Sequence, residues 1–118
     1  MTARLDALNA LGGAPDGDAR VRRLVFRLRL TATRAALLVH LLDHPDWMHS
    51  PRALRAALGC ADGSANSIKV HICEIRRALR LAQLPQPIEN VSRLGYGVAR
   101  ADARRLALLL FEDQEQAP

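Results

Sequence analysis

Apolar residues return every three or four positions through residues 64–79, SANSIKVHICEIRRAL. At 100° per residue, Ile68, Ile72, Ile75 and Leu79 fall within about 60° of one another, the stripe that seats a helix on a core. The opposite side gathers Asn66, Lys69, Val70, Cys73 and Arg77, with Arg76 and Arg80 at its margin and Glu74 off to one side. The pattern predicts a helix over about 64–82. One face is buried, and the other donates hydrogen bonds, carries positive charge and lacks acid.

Other segments carry their own periods. Leu5, Leu8 and Leu11 predict a helix over 3–11, ended by Gly12-Gly13 and the breakers Pro15 and Gly17. Residues 23–30 alternate, with Leu24, Phe26, Leu28 and Leu30 on one side and Arg23, Arg27 and Arg29 on the other. That period of two predicts a strand with one buried face. Thr31 or Thr33 is placed to cap a helix whose stripe is Leu37, Leu38, Leu41 and Leu42, stopping before His44-Pro45. Ser50-Pro51 restarts a helix with a Ser cap and proline at its first position. In it Leu54, Ala57 and Leu58 face inward, and Gly59 stops it.

A short turn then leads to the basic helix, capped by Ser64 or Asn66 and ended by Pro85 and Pro87. Residues 88–91 and 97–99 bracket a Gly-containing turn and predict a β-hairpin. Residues 101–111 are apolar on nearly every face after Arg104 and Arg105. They must pack on the domain's own core, on the N-terminal stripe or on a second copy.

The order strand, three helices, hairpin predicts a mainly α protein with a small β component (α+β), a winged helix-turn-helix. Its parts are a three-helix core, a C-terminal β-hairpin wing, and extra N- and C-terminal helices. The expected division is 1–19 for the N-terminal helix and linker, 20–100 for the winged-helix domain, and 101–118 for the C-terminal helix and acidic tail.

Composition sharpens this. With 49% hydrophobic residues but only 3% aromatic, the core must be built from Leu, Ile, Val and Ala, which favours helices. The net charge is +5, and its distribution says more. Arg20, Arg22, Arg23, Arg27, Arg29 and Arg34 occur without an intervening acid, whereas Glu112, Asp113 and Glu115 reverse the sign at the end. A basic body points to a polyanion such as nucleic acid. Arg27 and Arg29 are either a solvated face or a supplement to phosphate binding.

No Gly-rich phosphate loop, nucleophile elbow or paired carboxylates appear, so no enzyme, catalytic residue or cofactor is expected. His40 and His44 are four apart and His71 and Cys73 two apart, but no C-x-x-C or acid at zinc-site spacing accompanies them, and no metal is expected. Cys60 and Cys73 read as reduced thiols. No apolar run is long enough to span a bilayer and no secretory signal is expected, giving a cytoplasmic, nucleoid-associated protein.

Four fragments resemble one family. Leu30-Thr31-Ala32-Thr33, then Leu37-Leu38 and His44-Pro45, is similar to the LTxTE…LL…HP opening of the effector domain of OmpR/PhoB-type response regulators. Ser50-Pro51-Arg52-Ala53-Leu54 sits where that family begins its second helix. Ile68-Lys69-Val70-His71-Ile72, continuing through Ile75-Arg76-Arg77-Ala78-Leu79, resembles its recognition helix. Val91, Gly95 and Tyr96 resemble its wing. There are departures. The chain is expected to stand alone, without the receiver domain. Only residues 23–30 are left to replace a four-stranded platform. Arg34 or Ala35 replaces a Glu, the turn before the recognition helix is short, and Ser92 takes the wing's Arg position with Arg93 one residue on.

The resemblance implies a bacterial or phage transcription regulator that binds double-stranded DNA in a sequence-specific way. The expected DNA-binding residues are Asn66, Ser67, Lys69, Val70, Cys73, Arg76, Arg77 and Arg80 from the helix, and Arg93 from the wing (about 88–99). Arg and Lys suit guanine edges and phosphates, Asn suits adenine, and small apolar atoms suit the thymine methyl. Asn66 reads equally as a helix cap, His71 as a packed or phosphate-bonding group, and Tyr96 as core beneath the wing. Expected partners are DNA, a second copy through the terminal helices, and RNA polymerase or another regulator. Two other readings of the same fold are a protein-interaction or assembly module, and DNA packaging without regulation.

Overall fold

The computed structural model describes residues 18–59 and 65–112, with the side chains of Ala65, Asn66 and Glu112 left aside. The N-terminal stripe Leu5, Leu8 and Leu11, the Cys60 and Ser64 positions and the acidic tail beyond Glu112 lie outside the described residues. Five helices and one hairpin follow in order: α1 Ala19–Leu28, α2 Ala32–Asp43, α3 Pro51–Leu58, α4 Ala65–Leu81, β1 Glu89–Val91, β2 Gly95–Gly97 and α5 Arg100–Ala107. A π turn, Leu108–Glu112, continues α5.

The first element corrects the sequence expectation. The arginine-rich segment is helix α1, where a strand over 23–30 was expected. Leu24 and Leu28 are four apart, a spacing that satisfies both a period of two and a helical turn. Val21 and Phe26 decide between them. Val21 joins Leu24 and Leu28 in the core, a set only a helix can align, whereas Phe26, which a strand would bury, is 89% exposed. Asp18 caps the helix by accepting the Arg20 N–H at 2.8 Å. Arg29 ends it in the left-handed region at φ 58°.

Helix α2 is the axis of the domain. Thr31 caps it, accepting the Arg34 N–H at 3.2 Å, and His44 before Pro45 ends it. Ala35, Leu37, Leu38, Val39 and Leu41 are buried, because α1, α3, α4 and α5 all pack on α2. Helix α3 starts on Ser50, whose Oγ accepts the Ala53 N–H at 3.0 Å, and ends on Gly59 at φ 71°. Leu54 is its buried residue and Leu58 is half-buried. Ala57, expected inside, is exposed, because the eight-residue helix turns only one narrow side inward.

The C-terminal helix closes the same core. Ala103, Leu106 and Leu110 are buried and Phe111 packs against them. Ala99 offers no side-chain cap to α5. Asp46, 54 residues away in sequence, accepts the Arg100 N–H at 2.8 Å and pairs with Arg100 Nε at 3.2 Å. At the far end Arg27 Nη1 donates to the Leu109 and Leu110 carbonyls at 2.9 and 3.1 Å, and Arg23 donates to the Phe111 carbonyl. Both cations sit where a helix terminus leaves carbonyls without partners. Helices α1 and α5 thus do the covering for which no strand platform is present among the described residues.

Candidate nucleic-acid interface

Helices α3 and α4 form the helix-turn-helix, with α4 seated as its apolar stripe requires. Ile68, Ile72, Ile75 and Leu79 are no more than 1% exposed. Lys69, Val70, Cys73, Arg77 and Arg80 all face solvent. Glu74 is half-buried on one flank and Ser67 half-buried nearer the core. Asn66 lies in the first turn of α4.

Arg76 departs from expectation. Its Nη2 donates to the Ile88 carbonyl at 2.9 Å, while its Nε is buried without a hydrogen-bond partner. At 100° per residue Arg76 lies about 100° round the helix from Arg77, which turns it to the wing side. It tethers the start of the wing to α4.

On the other flank Arg34 Nε donates to His71 Nδ1 at 3.1 Å, joining the first turn of α2 to α4. Burial first, and then the Arg34 charge, push the His71 pKa down. The neutral ring is what can accept that bond. The sequence pattern did not anticipate this bond between Arg34 and His71.

The wing pairs Glu89 with Gly97, Asn90 with Tyr96 and Val91 with Gly95. Its turn is tighter than expected. The Leu94 N–H reaches the Val91 carbonyl at 3.0 Å, and Gly95 and Tyr96 belong to β2 rather than to the turn. Arg93 stands exposed at the apex with φ 73°. Tyr96 is buried and pairs through its backbone with His49. Gly95 takes φ 116°, and a Cβ there would overlap the His49 carbonyl oxygen. Only glycine fits this close approach.

Behind the wing three imidazoles gather around an indole. The ring centroids of His40 lie 4.7 Å from those of His44 and 5.2 Å from those of His49, and His44 stacks on Trp47 at 4.6 Å. Burial, then the charges of His44 and His49, push the His40 pKa down to about 4, against an opposing pull from Asp43. Among the described residues no group of three or more His, Cys, Asp or Glu is arranged to hold a metal ion.

The arginines that the sequence pools together are sorted by their partners. Arg20 is held by Asp18 at 3.2 Å and by Asp43 at 2.7 Å, and Arg23 and Arg27 by carbonyls. Lys69, Arg77, Arg80 and Arg93 have no hydrogen-bond or ion-pair partner among the described residues. The result is a basic, acid-free convex helix face with an arginine-tipped hairpin beside it, a form that fits a groove lined by phosphates. Among the described residues no helix is long and apolar enough to cross a membrane.

No curated protein and no solved structure matches the chain. A family model does match, that of the C-terminal domain of transcriptional regulatory proteins, over residues 26–98. This span holds α2, the helix-turn-helix and the whole wing, and the family is a DNA-binding rather than a catalytic one. The chain therefore belongs to the family of transcriptional regulatory protein C-terminal domains, the OmpR/PhoB-type effectors.

Proposed function

We propose that this protein is a sequence-specific transcription regulator that lays α4 in the major groove of double-stranded DNA. One observation carries the reading: the face of α4 opposite the sealed Ile68–Ile72–Ile75–Leu79 stripe is exposed, basic and free of acid. Lys69, Arg77 and Asn66 are the base readers, with Val70 and Cys73 packing against the groove floor and Ser67 on the flank of the helix. Arg80 holds phosphate. Arg93 reaches the adjacent minor groove, and Arg76 contributes by fixing the wing to the helix. The site of action is the cytoplasm, on the nucleoid.

Selection of bound sequences from a random duplex pool, followed by titration of the best site, tests this. With about five phosphate contacts, log K should fall against log salt with a slope near −4 to −5. No binding at low salt, or binding indifferent to salt, overturns the reading.

Pairing of two copies belongs to the same proposal, since one winged helix reads few base pairs and a second enlarges the site. Leu106 and Leu110 are committed to their own core. The apolar surface left for pairing on the described elements includes Phe26 on α1 and Leu108, 48% exposed, on the π turn. Light scattering at micromolar concentration should give twice 13.0 kDa, and Phe26→Glu should halve it. A 13.0 kDa species in the wild type removes the dimer.

A further inference from the structure

An open cleft of about 320 Å³ lies where α1, α2 and α4 meet. Arg27, Arg29, Arg34 and Arg77 line it, with Glu74 and Leu81 among the other walls. Four arginines thus line one cleft with a single carboxylate. Arg27 has two carbonyl acceptors, and Arg34 spends only its Nε on His71. Arg29 and Arg77 have no partner among the described residues. Like charges lining one cleft repel unless an anion lies between them. Glu74 is the one carboxylate among the walls and forms no ion pair with any of the four among the described residues, so the cleft keeps a positive surplus.

The position of the cleft identifies the anion. Arg77 belongs both to the cleft and to the outer face of α4. Arg76, on the opposite flank, is tied to the wing through Ile88. Helix α4 is therefore bordered by the wing on one flank and by the arginine cleft on the other. A major groove is likewise bordered by two sugar-phosphate strands, and a helix filling it turns one flank to each. We propose that this cleft grips a backbone phosphate of the strand opposite the wing, through Arg29 and Arg34 with Arg77 beside them. The inference rests on the DNA reading above, and it assigns to α1 a part in DNA binding. A guanidinium fork suits phosphate oxygens in geometry as well as charge.

The test is Arg29→Asn, since asparagine accepts the left-handed backbone at φ 58° and removes the charge. Arg29→Lys is the charge-keeping control. On the selected duplex at 0.1 M salt, loss of one phosphate contact should weaken binding about five- to tenfold and reduce the salt slope by about 1. The ratio of specific to random affinity should stay the same, and Arg29→Lys should remain near wild type. Hydroxyl-radical footprinting should show one protected backbone patch on the side away from the wing, lost in Arg29→Asn.

If the wild type binds but Arg29→Asn and the double variant Arg29→Asn/Arg34→Gln keep its affinity and slope, the cleft has no such role. Loss confined to the specific sequence would make Arg29 a base reader and overturn the assignment. A wild type that binds no duplex removes the DNA reading and this inference together, an outcome distinct from the other two.

Discussion

The backbones of His49 and Tyr96 pair in both directions, His49 N–H donating to the Tyr96 carbonyl at 2.7 Å and Tyr96 N–H to the His49 carbonyl at 2.9 Å. This one-residue bridge fastens the wing to the segment between α2 and α3. Asp46 reinforces it, donating its N–H to the Val98 carbonyl at 2.8 Å while its carboxylate caps α5. The wing is thus held from two sides, by this segment and by Arg76.

Gly95 and Gly59 both have positive φ, but only Gly95 is crowded. At Gly59 nothing among the described residues lies within 4 Å of an added Cβ, so Gly59→Ala should cost only the left-handed backbone, about 1–2 kcal/mol. Gly95→Ala adds a clash with the His49 carbonyl and should cost more. It should also loosen the wing and weaken DNA binding. Urea unfolding of the two variants, with a duplex titration of each, checks the order.

Two residues on α4 separate core from interface. Ile72 is 1% exposed, and Ile72→Ala should destabilise the domain by about 2–5 kcal/mol. Val70 lies on the outer face, and Val70→Ala should move stability by no more than about 0.5 kcal/mol. Equal losses in chemical denaturation would mean that α4 is seated differently.

On DNA, Lys69→Ala should cost about 1–3 kcal/mol at the selected site and relax its base preference. Arg80→Ala, at the end of α4, should weaken all sequences alike and flatten the salt slope by about 1. Competition titrations against random duplex distinguish the two. An unchanged ratio of specific to random affinity in Lys69→Ala would mean that the wrong face has been assigned.

The His40 ring makes stability depend on pH with a definite sign. Its folded pKa of about 4 lies below the ordinary 6.5, so between these values the unfolded chain binds more protons. Stability should therefore be full well above pH 6.5 and fall as pH drops towards 4; the whole shift corresponds to about 3 kcal/mol, reduced to roughly 2 kcal/mol because water screens the partly exposed ring. His40→Gln should flatten that slope. Urea midpoints at pH 7.5 and pH 5 for both proteins measure it.

Much of this architecture is legible in the chain itself. The caps Thr31 and Ser50, the stops His44-Pro45 and Gly59, and the stripe of α4 are consequences of local backbone geometry and of a 3.6-residue period. Neighbours in sequence settle them. The outer face of α4 follows from the same period, because burying one side exposes the other.

What neighbours in sequence leave open, tertiary packing decided. Leu24 and Leu28 fit strand and helix alike, and only the choice to bury Val21 and expose Phe26 made α1 a helix. The arginines carry the same charge in the sequence. Distant acceptors then divided them, Asp43 taking Arg20, the Leu109 and Leu110 carbonyls taking Arg27, and Ile88 drawing Arg76 off the outer face. A helix period fixes the direction in which a side chain leaves the backbone. Which oxygen waits there depends on chain segments many residues away, and that is settled only when the domain closes.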